Sequence, residues 1–142
     1  MAAIWKQEMS LERLIRINAN TAADHLGIEF VEIGDDFLRG RVPVDARTRQ
    51  PAGILHGGVS VVLAETLGSV SAACAAPAGT RVVGLDINAN HIRSVSEGWV
   101  IGTAKPIHIG RTTHVWQIEL TNEQGQITCV SRLTMAILAP AG

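Results

Sequence analysis

The sequence predicts an α+β fold in which a curved antiparallel sheet wraps around one long central helix. Three observations predict it. The run Gly57 to Ala76 is apolar or small throughout and holds a single charge, Glu65. Two stretches of alternating pattern precede that run, and four β-rich stretches follow it. Strands in runs with one segregated helix favour α+β over a doubly wound parallel sheet.

Each element has a local reason. Ser10 is placed to cap a short helix, because Leu11, Leu14 and Ile15 recur at helical spacing before "NANTAADHLG" interrupts the pattern. From Leu26 the period shifts towards two. "LGIEFVEI", a "GDD" turn and "FLRGRVPV" read as two strands, with Leu38, Gly40, Val42 and Val44 sharing one side of the second. Asp45 to Gly58 is rich in turn formers and polar groups and reads as a loop. The long helix follows, from about Gly57 to Ala76. Its Ala64, Gly68, Ala72 and Ala76 form a small-residue row that permits close approach to another backbone. After "PAGT" the strands are expected at 81–93, 98–107, 112–120 and 126–138, with Gly125 in a hairpin turn between the last two.

Composition limits the partners. The 142 residues suit one domain, 1–142, able to bury about two thirds of the surface the unfolded chain exposes. Twelve Lys and Arg against thirteen Asp and Glu leave a net charge of -1, so there is no basic field for nucleic acid or an anionic membrane. The expected partner is a small molecule or a second copy of the chain. Cys74 and Cys129 stand in apolar surroundings without CxxC spacing and read as reduced core residues. The N-terminus lacks the continuous apolar region of a signal peptide, and no apolar run is taken to reach the ~20 residues of a bilayer span. A soluble, cytoplasmic protein is expected.

The chemistry concentrates in "QPAGILHGGVSVVLAETLGS", Gln50 to Ser69. A helix N-terminus presents backbone N–H groups without intrahelical partners and a partial positive charge, which suits a developing oxyanion. Gly57 and Gly58 leave those N–H groups unshielded, and His56 could orient a carbonyl or a water. The competing explanation of "HGG" is a flexible helix start. Glu65 adds weight to the first reading, since an ionised carboxylate in an apolar helix is costly to desolvate. Its neighbours one turn away are Val61, Val62, Gly68 and Ser69, none of them a cation. An ion pair from elsewhere in the fold is the alternative.

Spacing separates the two groups. Gly57 and Glu65 are eight residues apart, about 12 Å along a helix. One carbonyl needs donor and attacking group each about 3 Å away. If both act on one carbonyl, they come from different chains, as in an antiparallel pairing of two such helices with two equivalent sites.

These residues resemble the hotdog-fold acyl-CoA thioesterases, in the branch of 4-hydroxybenzoyl-CoA and 1,4-dihydroxy-2-naphthoyl-CoA thioesterases. The likeness runs through "IGDDFLRGRVPVDARTRQP", "LHGGVSVVLAETLGS", "VVGLDINANHIRS", "HIGRTTHVWQIEL" and "SRLTMAIL", nearly the whole chain. The resemblance implies the hotdog fold and an acyl-CoA substrate. It implies Glu65 as the catalytic carboxylate, as nucleophile through an anhydride or as general base on water, with the Gly57 N–H binding the thioester oxygen. Gln50 and His56 would position the thioester or the water, and Ser69 would support Glu65. The substrate-contacting stretches carry over to His91, Arg93, Ser94, His108, Gly110, Arg111 and Thr112, with Gly84 as a further addition. Family members form dimers that often pair again, so a homodimer or a homotetramer is expected.

Arg93, Lys105 and Arg111 are the cations available for coenzyme A phosphates, with a solvated surface charge as the alternative for each. The five histidines show no metal-ligand spacing, and neither metal nor cofactor is expected. Two other functions compete: a non-catalytic acyl-CoA binding module, which leaves Glu65 unexplained, and a hotdog dehydratase using His56 with Glu65.

Overall fold

The computed structural model describes residues 2–140. The elements are α1 (Leu11–Asn18), α2 (Ala22–His25), β1 (Glu29–Ile33), β2 (Leu38–Pro43), α3 (Gly57–Ala75), β3 (Arg81–His91), β4 (Trp99–Ile109), β5 (Thr113–Thr121) and β6 (Ile127–Leu138). The strands form one antiparallel, curved sheet in the order β1-β2-β4-β5-β6-β3, and α3 packs against β2, β3, β4, β5 and β6. This is the expected architecture, a sheet wrapped around one long helix.

Small residues set how closely helix and sheet approach. Gly40 of β2 pairs across from Gly102 of β4. A Cβ on either would stand 2.7 or 2.9 Å from the side chain of Leu67, so the two glycines form a hollow that receives it. On the next strands, a Cβ on Gly68 would meet Leu133 at 2.6 Å. Ala64, Gly68, Ala72 and Ala76 are all buried, so the small-residue row serves packing against the sheet of the same chain. Leu38, Val42 and Val44 are buried on one side of β2 and its continuation, as their alternation requires.

The C-terminal end of α3 is capped from the N-terminus. Lys6 and Gln7 donate their backbone N–H groups to the Cys74 carbonyl at 2.8 and 3.2 Å, and Gln7 Nε2 donates to the carbonyls of Ala73 and Ala76. Those carbonyls have no partner inside the helix. Trp5 stacks on the buried Trp116, ring centroids 6.3 Å apart.

Several details differ from the sequence reading. Residues 22–25 form a short helix inside the "NANTAADHLG" interruption, with Thr21 Oγ1 accepting from the Asp24 N–H; the T-x-x-D spacing is the signature of such a cap. Ser10 caps α1 as expected, accepting from the Arg13 N–H at 3.2 Å. β3 stops at His91, because the N–H groups of Ile92 and Arg93 both turn to the Thr128 carbonyl. β4 runs on to Ile109 past an irregularity between Pro106 and His108. The 19 residues and mean hydropathy of 1.5 of α3 do reach the dimensions of a bilayer-crossing helix, contrary to expectation. In this fold the sheet supplies the apolar surroundings. Both cysteines are buried and free.

β3 is an edge strand whose only partner in the sheet, among the described residues, is β6. It leaves Val83 and Leu85 exposed by 44% and 63%. An unpaired, apolar edge is a ready template for a second chain.

Candidate active site

The loop before α3 is held by its own backbone. Thr48 and Arg49 donate N–H groups to the Asp45 carbonyl, the buried Thr48 hydroxyl donates to the Pro43 carbonyl, and the His56 N–H donates to the Thr48 carbonyl. Gln50 closes a turn by donating its N–H to the Ile54 carbonyl, while its side-chain oxygen accepts from the Ala52 N–H. These bonds bring Gln50 and His56 to the start of the helix.

At that start, His56 is the N-cap. Its Nδ1 accepts from the Gly58 N–H at 2.8 Å. This corrects the expectation of two unshielded donors, because Gly58 is spoken for. The Gly57 N–H has no hydrogen-bond partner among the described residues. Gly57 also lies against β3, since a Cβ built on it would stand 3.0 Å from His91 Nε2. Gln50, Gly57, Ser60, His91, Arg93 and Ser94 line one cavity of about 320 Å³, whose remaining wall includes Ile54, Leu55, Val95, Val100 and Thr128.

Glu65 opens elsewhere. It is half-buried, and a Cβ on Gly84 would come within 3.2 Å of its Oε2. With Ser69 it lines a second cleft of about 370 Å³, walled by Asn18, Thr21, Ala22, Ala23, Val62, Thr66 and Val70. Glu65 takes part in none of the ion pairs among the described residues. The glycine end and the glutamate of one helix therefore face two separate clefts of the same chain.

The remaining candidates fall into place around these two. Gly84 belongs with Glu65. His108, Gly110, Arg111 and Thr112 form the end of β4 and the β4–β5 turn, where the Gly110 N–H bonds the Thr113 carbonyl and the Ile137 N–H bonds the Thr112 carbonyl. Ile137 pairs with Val82, so this turn sits at the opposite end of β3 from His91, Arg93 and Ser94. One chain does not bring the two groups together. Lys105 lies over the Phe37 ring at 5.9 Å and lines a groove with Arg39, away from both clefts. Among the described residues no three His, Cys, Asp or Glu side chains converge as a metal site would require.

Beyond the apolar wall, two polar cavity residues were missed from the sequence, Ser60 and Thr128. Ser60 stands one turn after Gly57, at a spacing that periodicity could have flagged. Thr128 arrives from β6, and nothing in the linear order points to it.

The model of the thioesterase superfamily matches residues 52–129. The 1,4-dihydroxy-2-naphthoyl-CoA hydrolase of Escherichia coli (strain K12) is 51% identical over 135 residues, covering 95% of this chain and 99% of that protein. The proofreading thioesterase EntH of Cronobacter turicensis is 47% identical over 135 residues, covering 95% and 98%. The crystal structure of a thioesterase from Haemophilus influenzae superposes with a TM-score of 0.95 at 47% identity, covering 98% of this chain and 97% of that one.

Proposed function

The chain belongs to the thioesterase superfamily and is a thioester hydrolase, and we propose that it cleaves an aromatic or related acyl-CoA at a site shared between two chains. One observation carries this reading. Gly57 rests against His91 and Glu65 against Gly84, seven residues apart on the free edge strand β3. Antiparallel pairing of two β3 edges, centred between Ile87 and Asn88, sets Gly84 of one chain opposite the partner's His91. That register brings Glu65 towards the partner's Gly57, which the length of a single helix forbids.

In such a site the Gly57 N–H donates to the thioester oxygen as negative charge develops there, a contribution worth about 10² to 10³ in rate per donor. Glu65 acts at the acyl carbon by either of two routes, direct attack to give a mixed anhydride or removal of a proton from an attacking water. Either way the C–S bond breaks, a water oxygen ends in the carboxylic acid, and the sulfur leaves as a thiolate. A thiol of pKa about 8.5 needs little acid assistance to leave. His56 is committed through Nδ1 to the helix cap, so Nε2 is the atom it offers to substrate or water; Gln50 lines the same cavity. Ser69 shares the Glu65 cleft one turn further on.

The distribution of charge supports one placement of the substrate's two arms. Arg93 and Ser94 line the Gly57 cavity, whereas no cation among the described residues lines the Glu65 cleft. The phosphate-bearing thiol arm leaves past Arg93, and the acyl group lies on the Ala22, Val62 and Val70 side. His108, Gly110, Arg111 and Thr112 contact coenzyme A from another chain, in a dimer or a dimer of dimers. We place the enzyme in the cytoplasm. Two relatives of nearly equal identity carry different descriptions, so the aromatic class rests on the dihydroxynaphthoyl-CoA hydrolase and on the resemblance of the site residues.

Release of free thiol from benzoyl-, hydroxynaphthoyl-, phenylacetyl- and straight-chain acyl-CoAs tests this reading. Turnover with an aromatic preference, abolished in Glu65→Gln, is expected. Near-normal hydrolysis by Glu65→Gln contradicts it, and tight acyl-CoA binding without turnover would favour a binding module instead.

A further inference from the structure

Thr128 is 5% exposed, and its Oγ1 is buried without a hydrogen-bond partner among the described residues. Its backbone is fixed, because its carbonyl accepts from both Ile92 and Arg93. A buried hydroxyl left unpaired is costly and calls for an explanation. Thr128 lines the same cavity as Gly57 and Ser60, amid the apolar Ile54, Leu55, Val95 and Val100. A few convergent polar groups in an apolar wall are how small-molecule sites fix orientation.

Ser60 lies three residues along α3 from Gly57, about 5 Å of helix rise. If the Gly57 N–H holds the thioester oxygen, the next polar group of the thiol arm is the secondary amide joined to sulfur through two methylenes. Its reach from the acyl carbon is comparable to the Gly57–Ser60 separation. We propose that Thr128 Oγ1, with Ser60 of the same cavity wall, binds this amide and so recognises the pantetheine-type arm. The inference rests on the hydrolase reading above. The same amide occurs in coenzyme A and in the phosphopantetheine of a carrier protein.

The test compares two small esters of one acyl group, S-benzoyl-N-acetylcysteamine, which keeps the amide, and S-butyl thiobenzoate, which lacks it. Wild type is expected to favour the first, and Thr128→Val, which replaces the hydroxyl by a methyl of similar size, is expected to shrink the kcat/KM ratio about fivefold to tenfold. Thr128→Ser should retain the ratio even if it lowers stability. Equal losses on both esters in Thr128→Val, or an unchanged ratio, overturn the inference and leave a purely structural threonine. A wild-type protein that releases thiol from neither ester, nor from benzoyl-CoA, overturns the hydrolase reading and this inference with it. Benzoyl-CoA and a benzoylated carrier protein, assayed in parallel, identify the carrier: wild type turns over the natural one faster, and Thr128→Val lowers turnover of both.

Discussion

Glu65 is seated on Gly84: a β-carbon on that glycine would stand 3.2 Å from the carboxylate Oε2. The glycine thus leaves room for the carboxylate to lie along the edge strand. Gly84→Ala should displace Glu65 by a fraction of an ångström and lower kcat about tenfold, since small misplacements of reacting groups are costly. Stability should hold or rise slightly, because alanine restricts the unfolded chain more than glycine does. Steady-state kinetics with a thermal melt checks both halves; unchanged kcat would show that Gly84 sets no geometry.

His56 carries two roles that substitution can separate. His56→Ala removes the cap on the Gly58 N–H and should cost about 1 kcal/mol of stability, as cap deletions do. His56→Asn supplies another cap acceptor and should recover the melting temperature without recovering kcat. Recovery of both by asparagine would mean that His56 is only a cap.

His114 makes the fold sensitive to acid. It is buried, its Nδ1 accepts from Trp116 Nε1 at 3.3 Å, and burial, aided by His108 and Lys6, lowers its pKa below the ordinary histidine value. The unfolded chain takes up a proton near pH 6.5 that the fold resists. Stability should therefore be level from this source above about pH 6.5, and fall with pH below it until native His114 itself titrates. Melting curves from pH 8 to 5 should show that fall in wild type and a smaller one in His114→Asn, whose side-chain oxygen can still accept from Trp116. Equal slopes would assign the acid sensitivity elsewhere.

The fold was legible because it follows from local pattern. The apolar run 57–76, the period-two strands and the turn residues each act within a few positions, and the structure follows them closely. The short helix 22–25 was missed although its cap spacing is local. The ends of β3 and β4 were misjudged because the Thr128 carbonyl and the irregularity beyond Pro106 are set by neighbouring strands. At the site, the helix spacing alone separates Gly57 from Glu65, and the structure does place them in two clefts. That His56 takes up Gly58, that His91 rests on Gly57 and that Thr128 reaches the cavity depend on three-dimensional proximity, which sequence order does not carry.

The central claim is that each site draws Gly57 from one chain and Glu65 from the other. Gly57→Pro deletes the N–H donor at the first helical position, where proline is favoured. His56, at φ -64° and ψ 129°, already has the extended backbone that a following proline requires; the exposed His91 ring would shift aside. Gly57→Pro and Glu65→Gln should each be nearly inactive alone. Mixed and allowed to exchange subunits, they should form heterodimers with one intact site and one doubly damaged site, restoring about a quarter of wild-type activity at equal proportions. No recovery in verified heterodimers would place both residues in the same chain's site and contradict the account.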